Sequence, residues 1–320
     1  MTAYVARRIL AIFPMILGIS LLLFLLMNVA PGGPELMMLG GLGGEGFFSA
    51  DVAAKIKQDL GLDAPLHVQY VRWFGSALRG DLGRSFFKKV PVLALIGEKL
   101  GPTLALTGSA LVLAILLSVP LGIVSAVRQY STFDHLTTTM AFLGISIPNF
   151  WLGILLILLL AVRFDLFPIS GIAPYGNDTL VTRLHHLVLP VLTLTAPKIA
   201  VFTRFMRSSM LEVLAQDYIR TARAKGVLER AVIYRHALKN ALIPVITVVG
   251  LNLPALIGGA AVIESVFAYP GIGHLAVEST RLKDYPVIMG ISMLVAMVVI
   301  LGNLLVDLLY ATIDPRIKYG

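Results

Sequence analysis

Cysteine is absent from the 320 residues of this chain. Its absence excludes disulfides, thiolate metal sites, iron–sulfur clusters and cysteine nucleophiles. Charge is scarce as well, since Asp, Glu, Lys and Arg make up 14% of the residues, against roughly 25% in soluble domains. A water-soluble protein with 57% hydrophobic residues and a mean hydropathy of +0.86 would precipitate. The composition therefore predicts an all-α polytopic membrane protein.

Motifs that carry catalysis are missing too. The sequence has no Gly-x-x-x-x-Gly-Lys-Ser/Thr loop, so this chain does not hydrolyse ATP in the P-loop manner by itself. It has no His-Glu-x-x-His helix, and the adjacent His185 and His186 would point about 100° apart on a helix, which is poor geometry for one metal ion. Two Gly-x-Ser triplets, at 18–20 and 144–146, lack the closing glycine of a nucleophile elbow. We therefore assign no catalytic, cofactor-binding or metal-binding residue and predict that the chain is not an enzyme.

Six apolar stretches approach the roughly 20 residues that cross a bilayer core. They lie approximately at 9–29, 103–127, 136–162, 187–206, 241–263 and 287–310. The first is too long for the apolar core of a signal peptide, which has roughly 7 to 15 residues, so we interpret it as an uncleaved membrane helix. Pro190 and Pro197 interrupt the fourth, and prolines in membrane helices indicate spans that face protein or water. The pattern predicts a bundle of six transmembrane helices, either solid or built around a cavity.

The basic residues indicate the orientation of these spans. An even number of spans puts both termini on one side, and most Lys and Arg of the short loops fall on that side. The two short opposite loops hold only Arg163, Arg183, Arg281 and Lys283. The positive-inside rule therefore predicts cytoplasmic termini. The net charge of +8 follows from this asymmetry and does not indicate nucleic-acid binding.

The predicted spans divide the chain into an N-terminal transmembrane helix at 1–30, an extracytoplasmic loop region at 31–102 and a five-helix core at 103–320. Two amphipathic helices are predicted in the outer loop, at 51–60 and 67–78. They either cap the bundle at the membrane interface or form a docking surface for an extracytoplasmic partner. Composition does not separate these two roles.

The cytoplasmic loop at 207–240 is the most informative stretch. The pattern predicts Asp217 as an N-cap, 218–225 as a short helix, Gly226 as its C-terminal stop, and 227–240 as a second helix leading into the fifth span. Arg220 and Arg223, three residues apart, share one face of the short helix and form a compact basic ridge. Either the ridge docks into a groove of another protein, or its charges only fix the orientation of the chain.

Polar side chains at membrane depth are the remaining candidates for a solute path. Asn149 follows Pro148, Asn252 precedes Pro254, and Asn303 lies in the sixth span. Such groups are costly in the bilayer unless they face protein or water. They either line a path or form interhelical hydrogen bonds.

The loop residues resemble a known family. The run Asp-Tyr-Ile-Arg-Thr-Ala-Arg-Ala-Lys-Gly at 217–226, followed by Arg-His-Ala-Leu-Lys-Asn-Ala-Leu-Ile-Pro at 235–244, is similar to the coupling loop of ABC-importer permeases of the dipeptide/oligopeptide type. Arg-Thr-Ala stands at 220–222 in place of the general Glu-Ala-Ala signature. Gly33 stands where Asp is usual in the N-terminal signature. The long first outer loop resembles that of the B-type subunit, and further family landmarks lie at 31–34, 60–63, 80–83, 266–267, 270–273, 284–286 and 314–316.

The resemblance implies a type I ABC-importer permease bundle in the cytoplasmic (inner) membrane of a prokaryote. It implies four partners: a second homologous permease, two ATPase subunits that bind ATP and Mg, and an extracytoplasmic peptide-binding protein. Cargo would be di- or oligopeptides, with nickel complexes or glutathione as the open alternatives. The residues that match the family's coupling motif, and are expected to contact an ATPase, are Asp217, Tyr218, Arg220, Thr221, Ala222, Arg223, Lys225 and Gly226.

Two other classes of function fit a six-span chain less well. A stand-alone secondary transporter would need intramembrane carboxylates for ion coupling, and the span centres lack a convincing set. A membrane-embedded hydrolase would need a nucleophile, a base or a metal site, and no such constellation is present.

Overall fold

The computed structural model describes residues 2–29, 63–173, 176, 178–258 and 260–313, and the regular elements of these ranges are helices. The predicted helix at 51–60 lies outside the described residues. Two π-helical segments occur, Ile157–Arg163 and Val232–Ala237. The α-helices are α1 Thr2–Val29, α2 Leu66–Leu78, α3 Val92–Val127, α4 Thr132–Ser146, α5 Asn149–Leu156, α6 Leu180–Leu214, α7 Asp217–Ala224, α8 Glu229–Ala231, α9 Leu238–Asn252, α10 Ala255–Gly258, α11 Ala261–Val266, α12 Ile272–Arg281 and α13 Tyr285–Ile313.

The membrane spans confirm the predicted fold class. In the described part of the chain, five stretches are long and apolar enough to cross a bilayer, and a sixth span results if the bent pair α4 and α5 counts as one. Helix α6 continues through Pro190 and Pro197 without a break. The five single stretches are Leu10–Val29, Val92–Val127, Leu180–Leu214, Glu229–Gly258 and Tyr285–Leu304.

The prediction of one continuous third span at 136–162 is wrong. The chain bends by 101° between α4 and the helix that follows. Ile147 is extended, with φ −84° and ψ 123°, because the ring of Pro148 disfavours helical geometry in the residue before it. Pro148 also has no N–H to continue the ladder, so α5 begins anew at Asn149.

Two other helix ends differ from the prediction. The second membrane helix begins at Val92 and not at residue 103, so the last part of the predicted outer loop is helical. The fifth span, predicted to reach residue 263, ends its long helix at Asn252, shortly before Pro254. Hydropathy predicts which part of a helix is buried in the bilayer, but it does not predict at which residue the helical hydrogen bonding starts.

The chain packs as two compact units, one comprising residues 1–101 and 271–320 and the other residues 102–270. In the first unit the aromatic helix α2 lies against α1. The Ser20 and Tyr70 hydroxyls are 2.8 Å apart, and the rings of Phe24 and Tyr70 meet edge to face at 5.5 Å. These contacts hold α2 against α1, and they are compatible with both of the roles that composition left open.

In the second unit a buried ion pair joins α4 to α6. The carboxylate of Asp134, 2% exposed, accepts hydrogen bonds from Nε and Nη2 of Arg207 at 2.6 and 2.7 Å and another from the Ser125 hydroxyl of α3. Close to this pair along the helices, Gly122 lets α3 approach α6, because a Cβ there would lie 2.6 Å from the Met206 Cβ. The ends of three helices are therefore fixed together.

We expect Asp134→Ala to destabilise the protein strongly. The variant leaves the Arg207 guanidinium, 27% exposed, without its countercharge, and breaking a buried pair costs about 3 kcal/mol or more. Thermal unfolding of the purified protein in detergent measures the loss. The matched control is Asp178→Ala, which breaks the similarly bidentate but exposed pair with Arg183 and should change stability little. Equal losses of thermal stability in the two variants would contradict the assignment of the Asp134–Arg207 pair as a buried, stabilising contact.

Candidate functional site

Helix α7 is the exposed element of the loop at 207–240. It follows an extended Gln216, with φ −71° and ψ 150°, so Gln216 and not Asp217 is the N-cap. The predicted cap at Asp217 is wrong by one residue. Asp217 instead lies in the first turn, where its negative charge stabilises the positive end of the helix dipole.

One side of α7 is buried against the membrane helices. Ile219 is fully buried and Ala222 is 8% exposed, and both belong to an apolar cluster that includes Ile123 of α3, Met210 of α6 and Val232. Burying an isoleucine side chain stabilises a contact by about 1.5 to 3 kcal/mol. The short helix is therefore anchored to α3 and α6.

The turn after α7 has the geometry of a Schellman motif. The Val227 N–H donates to the Ala222 carbonyl at 3.3 Å, and the Gly226 N–H donates to the Arg223 carbonyl at 2.9 Å. Gly226 has φ +74°, in the left-handed region that favours glycine. The predicted stop at Gly226 is confirmed. The next helix begins at Glu229 and not at 227, because Leu228 is extended with φ −55° and ψ 135°.

Both arginines of the predicted basic ridge form ion pairs. Arg223 donates from Nε and Nη2 to both carboxylate oxygens of Glu229, at 3.1 and 2.7 Å, and this hydrogen bonding raises the pKa of Arg223. Arg220 reaches Asp217 only at 3.4 Å, and both of these side chains are mostly exposed, 73% and 96%. Helical spacing does not reveal a partner that lies beyond the turn, so Glu229 could not be predicted as the partner of Arg223 from the spacing of charges.

The eight motif residues differ in exposure. Ala222 is buried against the chain's own core, so it anchors α7. Tyr218 is half-exposed and accepts a hydrogen bond from Asn240 Nδ2 at 2.8 Å. The other members lie on the outside of the loop. We call the exposed set the α7 surface: Asp217, Tyr218, Arg220, Thr221, Arg223, Lys225 and Gly226.

A second candidate site is a cavity of about 410 Å³ in unit 102–270. Asn149 at the start of α5 and Lys198 of α6 line it together. Lys198 Nζ donates to Asn252 Oδ1 at 3.4 Å, and Asn252 Nδ2 donates to the Val248 carbonyl at 2.8 Å. Two of the three predicted path residues therefore lie around one lysine. The third, Asn303, belongs to the other unit and is exposed.

Sequence reasoning missed a buried carboxylate. Glu264 of α11 is fully buried and accepts a hydrogen bond from Thr103 Oγ1 at 3.0 Å. Burial raises the pKa of the nearby Tyr269 phenol to about 12, and the charge of Glu264 adds to the effect. In the sequence, the signal for this buried carboxylate was a single acidic residue within the apolar run 255–267.

The predicted divergence of His185 and His186 agrees with their hydrogen bonds to separate carbonyls, Leu166 O and Ser170 O, each at 2.9 Å.

Helices long and apolar enough to span a membrane, a loop helix anchored to them and a cavity lined by a lysine and an asparagine define a multi-pass membrane protein. Its family follows from the sequence profiles that the chain matches. Residues 118–319 match the profile described as binding-protein-dependent transport system inner membrane component, and residues 1–107 match the corresponding N-terminal profile. The chain belongs to this family of ABC-importer permeases, and it is a transport subunit and not an enzyme.

Curated relatives extend over the full length of the chain. The oligopeptide transport system permease protein AppB of Bacillus subtilis is 44% identical over 321 residues, which cover all of both chains. The dipeptide transport system permease protein DppB of Escherichia coli K12 is 38% identical, with 100% of this chain and 99% of that protein covered. The glutathione transport system permease protein GsiC of Salmonella paratyphi A is 41% identical, with both chains fully covered.

Proposed function

We propose that this chain is the permease subunit of an ATP-driven ABC importer that moves di- and oligopeptides across the cytoplasmic membrane. The names of the AppB and DppB relatives support the cargo class. The anchored α7 supports the importer mechanism, because Ile219 and Ala222 tie an exposed helix to α3 and α6. This anchoring is the observation that carries the proposal. Glutathione is the second candidate cargo, and the similarity to GsiC favours it.

The α7 surface is the proposed contact with an ATPase subunit. A movement of α7 would pass to the ends of α3 and α6 through the apolar cluster around Ile219, provided that the ATPase groove has two arrangements. The full assembly would contain a second homologous permease, two ATPase subunits that bind ATP and Mg, and an extracytoplasmic peptide-binding protein. Both termini would face the cytoplasm, as the distribution of Lys and Arg predicts.

The cavity beside Lys198 is the proposed part of the peptide path. Peptides carry a terminal carboxylate and amide groups, which an ammonium and asparagine side chains bind well. Asn149 and Lys198 line the cavity, and Asn252 holds Lys198 by a hydrogen bond. Asn303 remains a proposed path residue on the sequence argument alone.

We expect Lys198→Met to raise the KM of peptide uptake about tenfold, as the loss of one hydrogen bond to a charged group would. Basal ATP hydrolysis by the assembled complex should not change, because Lys198 does not belong to the α7 surface. Uptake of labelled peptide by proteoliposomes, at a range of concentrations of loaded binding protein, measures the effect. Lys89→Met, at an exposed lysine, is the control and should transport like the unmodified protein. An unchanged KM in Lys198→Met would remove this lysine from the path.

Co-purification from native membranes in mild detergent tests the proposed function. We expect two ATPase subunits and a second permease, with ATP hydrolysis stimulated by binding protein loaded with a dipeptide or an oligopeptide. Parallel assays with glutathione and with nickel complexes separate the cargo alternatives. A protein that purifies alone, ignores ATP and transports solute on an ion gradient would contradict the importer and support a secondary transporter.

A further inference from the structure

A second cavity, of about 260 Å³, lies among α3, α4 and α6 in unit 102–270. It is separate from the α7 surface and from the cavity beside Lys198, so neither proposed role uses it. Its volume is several times the roughly 30 Å³ that a water molecule occupies in the liquid. A phosphate ester fits a space of this size.

The wall formed by α4 and α6 changes from polar to apolar along its length. The two helices run in opposite directions, because Asp134 near the start of α4 meets Arg207 late in α6, while Gly144 near the end of α4 lies against Ala196 and Ala200. At one end of the cavity the lining residues are Thr137, Thr138, Arg204, Arg207 and Ser208. At the other end they are Ala141, Phe142, Ile145 and Ala200.

The polar end carries uncompensated positive charge. Arg207 is neutralised by two hydrogen bonds to Asp134. Arg204 is exposed and has no acidic partner within the described part of the chain. The lining residues include no Asp or Glu. The cavity, with the Asp134 pair counted, therefore holds one net positive charge.

The apolar end fits hydrocarbon. Phe142 is 60% exposed and Ile145 is 50% exposed, and both lie on a helix of the bent membrane span. A free phosphate ion would leave these apolar side chains without a ligand contact. A phospholipid would place its phosphate between Arg204 and the hydroxyls and its first acyl carbons against Phe142 and Ile145.

We propose that this cavity binds an anionic phospholipid from the leaflet next to the loop at 207–240. Basic pockets between membrane helices on the cytoplasmic side are suited to such headgroups. The assignment to the cytoplasmic leaflet rests on the proposed orientation. Lipid binding itself is independent of transport, so its test is distinct from the test of the importer.

Native mass spectrometry of the purified complex, titrated with phosphatidylglycerol in lipid-free detergent, measures the binding. We expect Arg204→Gln to weaken binding about fivefold, as the loss of one arginine near an anionic headgroup would. Ser208→Glu adds a negative charge at the exposed polar end and should weaken binding further. Both substitutions replace exposed side chains, and an unchanged melting temperature before lipid addition confirms that each variant is folded. Arg128→Gln removes an exposed arginine outside the cavity and should bind like the unmodified protein.

Two further probes identify the ligand. Phosphatidylcholine, which is zwitterionic, should bind more weakly than phosphatidylglycerol, and millimolar inorganic phosphate should not displace the lipid. Displacement by inorganic phosphate would overturn the lipid assignment in favour of a free phosphate site. Two outcomes would overturn the assignment of the binding site to this cavity. One is equal lipid binding by the unmodified protein, Arg204→Gln and Ser208→Glu, and the other is an equal loss of lipid binding in Arg128→Gln.

Discussion

Replacing both Arg220 and Arg223 by glutamate is expected to abolish ATP-driven uptake while the chain still inserts into the membrane. If the α7 surface docks into an ATPase groove, two reversed charges place like charges together, which costs several kcal/mol at an interface. Uptake of labelled peptide by proteoliposomes and co-purification of the ATPase subunits measure the loss. Arg163→Glu reverses an exposed arginine in a loop predicted to lie on the opposite side of the membrane and should leave uptake unchanged.

The ion pairs of the loop determine what each single substitution reports on. Arg220→Glu alone reports mainly on docking, because Arg220 is 73% exposed and reaches Asp217 only at 3.4 Å. Arg223→Glu also breaks the pair with Glu229, so its loss of uptake has two causes. The swap Arg223→Glu with Glu229→Arg restores the pair and leaves the charge at 223 reversed. Full recovery of uptake in the swap would assign Arg223 to the stability of the loop and not to docking, and normal uptake in the Arg220 and Arg223 double variant would remove the coupling role.

Replacing Gly226 by valine is expected to uncouple ATP hydrolysis from uptake. The residue has φ +74°, which a β-branched side chain strongly disfavours. A Cβ at this position would meet nothing within 4 Å, so the effect arises from the backbone and not from a collision. The substitution would distort the turn that sets α7 against the following helix. ATPase activity and uptake, measured on the same proteoliposomes, give the coupling ratio.

A substitution series separates backbone strain from size. Asparagine is larger than alanine but tolerates the left-handed region better. We therefore expect Gly226→Asn to keep more uptake than Gly226→Ala and much more than Gly226→Val. An order that follows side-chain volume would show that a partner packs against Gly226 and that the strain argument is wrong.

The local features of this chain were predictable from the sequence because each depends on neighbouring residues. Membrane spans follow from hydropathy over about 19 residues. The helix α7 and its stop at Gly226 follow from a short run ending in glycine, and the break before Asn149 could have been read from Pro148. The family followed from motifs spread along the whole chain.

The tertiary structure alone decided which distant residues meet. Asp134 and Arg207 are 73 positions apart, and no local pattern pairs them. Glu229 reaches Arg223 only because the turn at Gly226 folds one segment back against the other. Pro148 breaks the third span, but the angle of 101° depends on what α4 and α5 pack against. The sequence by itself determined that the chain is helical, that it lies in a membrane and to which family it belongs. The cavities and ion pairs arise instead from packing between segments far apart in the chain, which hydropathy and spacing do not encode.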